Sequence, residues 1–429
     1  MKKYYNIAKN NLYPICRSLT GKGVVKTLKV IKDEFPTLKI KKIKSGTKVF
    51  DWRVPPEWNV TDAYVLDKDG IKIIDFKKHN LHLIGYSTPL NTTLSKKNFF
   101  KNLFFLKNQP KAIPYITSYY KKKWGFCVSY NQFKKFNKRY SSKDKFKIVI
   151  NSSFKNNGNL NYAELILKGK SKHEILISTY ICHPSMANNE LSGPIVTMGL
   201  INYFSKYKLD KTLRFIFIPE TIGSIAYLSK NLNYLKTNII GGYNLSCIGD
   251  ERQHSLMFSK YQNSPSDEAI IAAYAKLKIN DYKIYSFLER GSDERQYNSP
   301  GVDLPISSIF RTKYGCYPEY HTSLDNFDLV TIKGVTGGYK VAKTAIEILL
   351  KNIYPKNKLI CEPQMGKRGL YPTLSTKNTN KLTRSYMDFL QYSDGTNSLK
   401  KISNLIDVEF KIAKRIYYKL KKYSLIKVL

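Results

Sequence analysis

The sequence has no run of roughly 18 uninterrupted apolar residues, so no membrane-spanning helix is expected. Its first stretch, MKKYYNIAKNNLYPICRSL, opens basic but lacks the apolar core of a secretory leader. Cysteine is scarce: Cys16, Cys127, Cys182, Cys247, Cys316 and Cys361 are scattered singly, with no CxxC pair. That density excludes a disulfide framework and fits free thiols in a reducing compartment. The expectation is therefore a soluble, cytoplasmic protein without membrane insertion. Acidic residues are also few, 32 against 72 Lys plus Arg, for a formal net charge of +40. A field of that sign attracts polyanions. Here, however, Lys is abundant together with Asn, Ile and Tyr, all encoded by AT-rich codons, and the lysines are spread along the whole chain. Base composition accounts for the charge without a polyanion partner. No internal repeat or long low-complexity tract is present. Only six histidines occur, so each imidazole is informative.

Hydrophobic content of 42% and aromatic content of 13% describe a folded chain, and 429 residues suit two or three domains. Four stretches are told apart: 1–48, 49–146, 147–360 and 361–429. The first looks helical, with Leu28, Ile31 and Phe35 at helical spacing before Pro36. The second changes to short β-type runs (VFDWRVPPEWNVTDAYVLD, GIKIIDF, LHLIGYST, WGFCVSY) broken by Pro, Asn and Asp. Trp52, Trp58 and Trp124 fall here and are read chiefly as packing residues. In the third, strand candidates (FKIVINSSF, AELILKG, HEILISTYIC, LRFIFIPE, IIGGYNLSCIG) alternate with helices such as SGPIVTMGLINYFSKY, GSIAYLSKNLNYL, SDEAIIAAYAKLKI and VTGGYKVAKTAIEILLKNI. That alternation predicts an α/β fold with a mostly parallel sheet covered on both faces. After the Pro- and Gly-rich YPKNKLICEPQMGKRGLYPTLSTKNTN, the fourth stretch reads helix, turn, helix, apolar tail, the outline of a winged helix.

The densest chemical signal is ISTYICHPSMANNELSGPIVTMGL, where His183 directly follows a buried strand. Ligands in open α/β sheets bind at the carboxyl ends of strands. Imidazole is the commonest metal ligand, and Glu190, in the turn before the next helix, offers a carboxylate. A second strand ends at Glu220, well placed to activate a metal-bound water. Asp293, Glu294 and Arg295 cluster in ERGSDERQYNSPGVDLP, and His321 lies in YGCYPEYHTSLDNFDLV, followed by Asp325 and Asp328. Each segment alone has a plain alternative. His183 could cap a strand, Glu190 could sit near a helix N-terminus for its dipole, Glu220 could be merely solvated, and the Asp293 segment could be an exposed charged turn.

In linear order these segments resemble the bacterial zinc aminopeptidase-like family, in the superfamily of zinc aminopeptidases and glutaminyl cyclases, with a branch linked to surface polysaccharide biosynthesis. The resemblance rests on His183, the ANNELSG turn, Glu220 in PETIGS, Asp293 in SDERQY and His321 in YHTSLDN. VFDWRVPPEW, IPYITSYYKKKWGFC, EPQMGKRGLYP and YSDGTNSLKKI extend it over nearly the whole chain. It implies a three-layer α/β/α peptidase-like core formed by 1–48 and 147–360, a β-rich domain inserted at 49–146, and a linker with winged helix at 361–429. It also implies zinc, held by His183 and His321 with Glu190 as the third ligand, Glu220 as general base, and Asp293 or Glu294 orienting His321 or the substrate amine. The sequence departs from the family where a metal-bridging Asp is replaced by Asn189. It departs again where the second of two paired acids is Thr221, and where Asn244 stands for a later acid with Asp250 nearby. Fewer carboxylates offset less positive charge, so one zinc is expected rather than two.

The expected activity is hydrolysis of an amide in a small peptide or aminoacyl substrate. The missing acids keep a second reading open, a catalytically weakened relative that binds such a ligand. A third is a DNA-binding regulator in which Lys411, Lys414 and Arg415 of the last helix meet nucleic acid; a winged helix serves equally for packing or protein contact.

Overall fold

The computed structural model describes residues 1–371 and 381–428; residues 372–380, the end of the expected linker, lie outside the described residues. An eight-stranded sheet organises the molecule. Its strands are β1 (Lys39–Lys44), β2 (Asn159–Leu167), β3 (Gly169–Tyr180), β4 (Leu209–Ile218), β5 (Ile239–Leu245), β6 (His254–Met257), β7 (Tyr282–Tyr285) and β8 (Ile306–Phe310). They lie side by side in the order β1-β2-β4-β3-β5-β8-β6-β7. The central four, β4-β3-β5-β8, run parallel, while β1, β2 and the β8–β6 pair are antiparallel. The fold is thus α/β with a mostly parallel sheet.

Strand periodicity explains the continuous apolar runs. Ile175 and Ile177 of β3, with Leu213, Phe215 and Phe217 of β4, point to one apolar core. Leu176, Ile216 and Ile218 point to the other. A strand buried on both faces has no polar side, so alternation disappears. The first core is closed by helices α1 (Lys22–Glu34), α2 (Ser192–Phe204), α4 (Pro265–Lys276) and α5 (Ile332–Lys351). On the other face lies α3 (Ile222–Asn238), together with a second sheet.

That second sheet is antiparallel and four-stranded, in the spatial order Lys72–Asp75, Glu57–Leu66, Lys145–Lys155, Leu90–Ser95. FKIVINSSF, expected beside the large-sheet strands, pairs instead with Glu57–Leu66 and Leu90–Ser95. Apolar content identified it as a strand, but pairing partners lie far away in sequence. KIKKIK (Lys39–Lys44) was read as helical and forms edge strand β1, where pairing with β2 outweighs local pattern. Trp58 is buried, its Nε1 donating to the Ser87 carbonyl at 3.0 Å and its ring stacked on Tyr86. Trp52 is exposed against Tyr120.

The C-terminal winged helix has its own apolar core, built on α6 (Lys381–Gln391), α7 (Leu399–Leu405) and α8 (Phe410–Lys422). Phe389, Leu399, Ile402, Ile416 and Leu420 are buried in it. Its small sheet pairs Pro355–Asn357 with Ile426–Val428, so the chain leaving α5 supplies one wing strand. Ser398 Oγ donates to Glu268 of α4 at 2.9 Å, and Lys401 pairs with the same carboxylate at 3.3 Å. All six cysteines are free. Among the described residues no helix is long and apolar enough to cross a membrane.

The approach of α2 to the sheet depends on one residue. A Cβ on Gly193 would fall on Thr179 Oγ1 and the Leu245 carbonyl, both fixed parts of the central strands. Gly193→Ala is therefore expected to lower unfolding free energy in urea by about 1–3 kcal/mol. Gly366→Ala, with nothing within 4 Å of the new methyl, serves as the neutral control.

Candidate active site

β3 and β4 end side by side, with Tyr180 paired to Ile218, and deliver His183 and Glu220 to one edge of the sheet. His183 is buried and held from several sides. Its Nδ1 lies 3.0 Å from Glu190 Oε2 and its carbonyl accepts from Arg17 Nε at 2.9 Å. Its Nε2 faces Glu220 Oε2 at 3.7 Å. Glu220 Oε1 accepts from Ser292 Oγ at 2.5 Å, and its backbone N–H points at Cys182 Sγ at 3.3 Å.

His321 arrives from the loop before α5. Its ring centroid is 5.4 Å from that of His183, and it stacks on Tyr320 at 3.9 Å. Its Nε2 is buried without a hydrogen-bond partner. A buried imidazole nitrogen is normally satisfied, so an orphaned one beside a second histidine is a ligand position by its chemistry. Two imidazoles are donors that zinc accepts, and the Glu220 carboxylate stands beside them. The residues present fit one such ion.

Glu190, expected as the third ligand, lies on the Nδ1 side of the His183 ring. Both its oxygens are engaged, Oε2 by His183 Nδ1 and Oε1 by Arg17 Nε at 3.0 Å, and both side chains are fully buried. For a metal on Nε2 this carboxylate lies behind the ring, where it fixes ring orientation. Cys182, His183 and Glu190 form the one three-residue group among the described residues whose donor atoms all lie within 4.8 Å of one another. Its metal-facing side is Nδ1, where the Arg17 guanidinium already neutralises the carboxylate and opposes a further cation. His183, Glu220 and His321 are less tightly gathered than that group.

Asp293 and Glu294 touch neither His321 nor each other's partners. Asp293 Oδ1 accepts from the Thr221 N–H at 2.7 Å and from Ser224 Oγ at 2.8 Å. Glu294 Oε1 accepts from Gly291 N, Ser292 N and the Tyr314 hydroxyl, and its Oε2 from Asn244 Nδ2 at 3.2 Å. Both acids therefore hold loop backbone. Glu294 places Ser292, and through it Glu220. Thr221 has φ 61°, a left-handed conformation unfavourable for a β-branched residue, and Asp293 is what holds it. Ser185, Cys247 and His321 are also left-handed, so strained backbone gathers around the site.

Three contributors were missed from sequence. Arg17 is the only arginine before Arg53, a signal visible only in hindsight among so many lysines. Asp325 accepts from the backbone of Ala187, Asn188 and Asn189 and from the Tyr317 hydroxyl, so it shapes the ANNEL turn. Tyr115 packs edge-on against His183 and His321 at 5.4 and 5.1 Å. Asp250, noted from sequence as a nearby acid, accepts from Asn188 Nδ2 and from Thr312, a structural role.

Burial governs the charges. It pushes Glu220 above the ordinary carboxylate range, while His183, Ser292 and Arg295 pull the other way. For His183, burial opposes the charged ring, but Cys182 and Glu190 outweigh it and hold the pKa well above 6.5. Burial raises Cys182 itself to about 11, so at neutral pH the Glu190 carboxylate is the lasting cause. His321 is driven down to about 3 by burial and by His183, leaving a neutral ring with a free lone pair.

Asp293 is raised from 3.8 to about 7 by burial, then by Glu220 and Glu294. A carboxyl whose folded pKa exceeds its unfolded value binds its proton more tightly when folded. Its stabilisation is complete below about pH 4 and is lost as pH rises through about 7. Asp293→Asn keeps the Oδ1 acceptor without the titration. In chelator-treated protein, the melting temperature of Asp293→Asn relative to wild type is expected to rise between pH 5 and pH 8, as about 4 and 7 bracket the change. A pH-independent difference would refute this.

Residues 5–352 match the family described as a domain of unknown function, DUF4910, and residues 352–428 match a winged helix-turn-helix family. The chain is 39% identical, over 99% of its length and 96% of the relative's, to a Clostridium acetobutylicum protein whose name gives it an aminopeptidase-like domain and assigns it provisionally to polysaccharide biosynthesis. A crystal structure of a C. acetobutylicum protein described as a candidate peptidase superposes with a TM-score of 0.80 at 38% identity, covering 100% of this chain and 96% of that one. The zinc aminopeptidase of Bacillus subtilis superposes at 0.59 with 13% identity, covering 80% and 93%, a likeness of fold alone. By its match across the body and its full-length relative, the chain belongs to the aminopeptidase-like family described as DUF4910, with a winged helix-turn-helix at its C-terminus.

Proposed function

We propose that this chain is a zinc-dependent hydrolase cleaving an amide bond in a small peptide or aminoacyl substrate. The observation that carries the reading is the pairing of His183 with His321, whose buried Nε2 has no partner, beside Glu220 at the ends of adjacent strands. His183 and His321 would hold the ion. A zinc ion there supplies Lewis acidity for the scissile carbonyl and lowers the pKa of water. Glu220, oriented by Ser292 and raised by burial, accepts a proton at Oε2 and returns it to the departing amine. Glu190 keeps the His183 ring in register from behind.

The departures from the family favour a single zinc. Asn189 is neutral, and its Oδ1 already accepts from the Tyr180 hydroxyl at 2.7 Å. Thr221 stands where a second acid was expected, and the Arg295 guanidinium donates to its Oγ1 at 2.7 Å. Asn244 is spent on Glu294. A cation therefore occupies the neighbourhood in which a second metal would need an anion.

A second partner class has its own support. Lys411, Lys414, Arg415, Lys419, Lys421 and Lys422 are all exposed on α8, and among the described residues none is ion-paired with an acid. That face suits nucleic-acid phosphates, with the body as a separate unit. Reversing Lys414 and Arg415 to Glu is expected to abolish a salt-sensitive gel shift with duplex DNA; an unshifted wild type at low salt rejects this partner.

For the hydrolase, elemental analysis is expected to find about one zinc per chain and none in His183→Ala. Glu220→Gln is expected to retain zinc and lose about a hundredfold or more in kcat on an aminoacyl chromogenic amide. A zinc-free wild type would falsify the proposal.

A further inference from the structure

Residues 109–119 belong to neither the central sheet nor its helices, yet they are stitched to the His321 loop. Tyr115 N–H donates to the His321 carbonyl at 2.8 Å, and Pro114 bridges Thr322. Ile113 N–H donates to Ser323 Oγ and the Ser323 N–H returns to the Ile113 carbonyl, both at 2.9 Å. Gln109 Nε2 reaches the Pro318 carbonyl at 2.8 Å. Bonds on both sides of Tyr115 leave its backbone little freedom.

The ring so placed lies edge-on to both imidazoles, with interplanar angles of 63° to His183 and 75° to His321. Anything held between those histidines therefore has Tyr115 as a wall. Its hydroxyl lies 2.8 Å from that of Tyr119. Two phenols carry two protons, and one suffices for the bond between them. The Thr117 hydroxyl also faces Tyr119, as a donor to it, so Tyr119 can give its own O–H to Tyr115 and leave the Tyr115 O–H free to donate. Burial pushes both phenols above their ordinary range, which keeps both protons in place at neutral pH.

We propose that Tyr115 is a substrate-positioning residue contributed from outside the peptidase-like core, and that the spare O–H of the Tyr115–Tyr119 pair donates to the acyl oxygen of the substrate. The inference rests on the hydrolase reading and adds to it a group that holds the substrate's acyl oxygen. The ligand must present an acyl oxygen to that O–H.

The test compares wild type, Tyr115→Phe and Tyr115→Ala, each loaded with Co(II) in place of zinc and titrated with an amino-acid hydroxamate while the visible absorption is followed. Tyr115→Phe keeps the wall and removes the donor. It is expected to bind one metal per chain, melt like wild type, and lose about tenfold in hydroxamate affinity and in kcat/KM. Tyr115→Ala is expected to lose more affinity than Tyr115→Phe. Unchanged hydroxamate affinity and kcat/KM in Tyr115→Phe would overturn the role of Tyr115 while the hydrolase reading stands. A wild type that takes up no metal would overturn both.

Discussion

The site is organised by a buried ion pair that sits beneath it. Arg17 and Glu190 are both withdrawn from water, and a pair of that kind survives only if each partner satisfies the other and the surrounding polar atoms. Arg17 joins its own segment, through the Leu12 carbonyl, to Glu190 and the His183 carbonyl, two stretches of chain that meet only in the fold. Glu190 spends its second oxygen on His183 Nδ1, which turns Nε2 outward toward Glu220. The N-terminal segment is thereby a component of the site and no mere extension of the helical layer. Loss of either charge would strand the other in the interior, which is costlier than the pair is stabilising.

Three other buried acids around the site accept from backbone N–H groups. Asp325 gathers successive N–H groups of the ANNEL turn, Asp293 fixes the strained Thr221, and Glu294 collects Gly291, Ser292 and Tyr314. A carboxylate is the side chain best suited to several converging N–H donors, and strain at Thr221 is tolerated because Asp293 over-determines it. The same acids that suggested metal chemistry in the sequence are thus largely the scaffold around two histidines and one glutamate.

Material outside the central sheet completes the arrangement. The four-stranded sheet shares an apolar core with α3 and one face of the large sheet, so its loops are carried rigidly to the site. The winged helix instead keeps a core of its own and meets the body through Glu268, Ser398 and Lys401. Surface contacts of this polar kind contribute little to stability, consistent with a module joined by its chain more than by its interface.

The sequence by itself determined the class of fold and singled out two histidines whose rings meet in the structure. Long apolar runs flanked by turn residues could only be strands buried on both faces, and His183 and Glu220 follow such runs directly. The helices SGPIVTMGLINYF and IGSIAYLSKNLNYL were legible for the same reason, because local periodicity records burial. What each acid binds was not legible: Glu190, Asp293 and Glu294 look alike in one dimension, and their partners Arg17, Thr221 and Ser292 approach from elsewhere. Nor could the sequence place Tyr115 beside His321 or FKIVINSSF in the smaller sheet, since both rest on backbone pairing between distant segments. Local pattern reports whether a side chain is buried; only the tertiary structure decides what it is buried against.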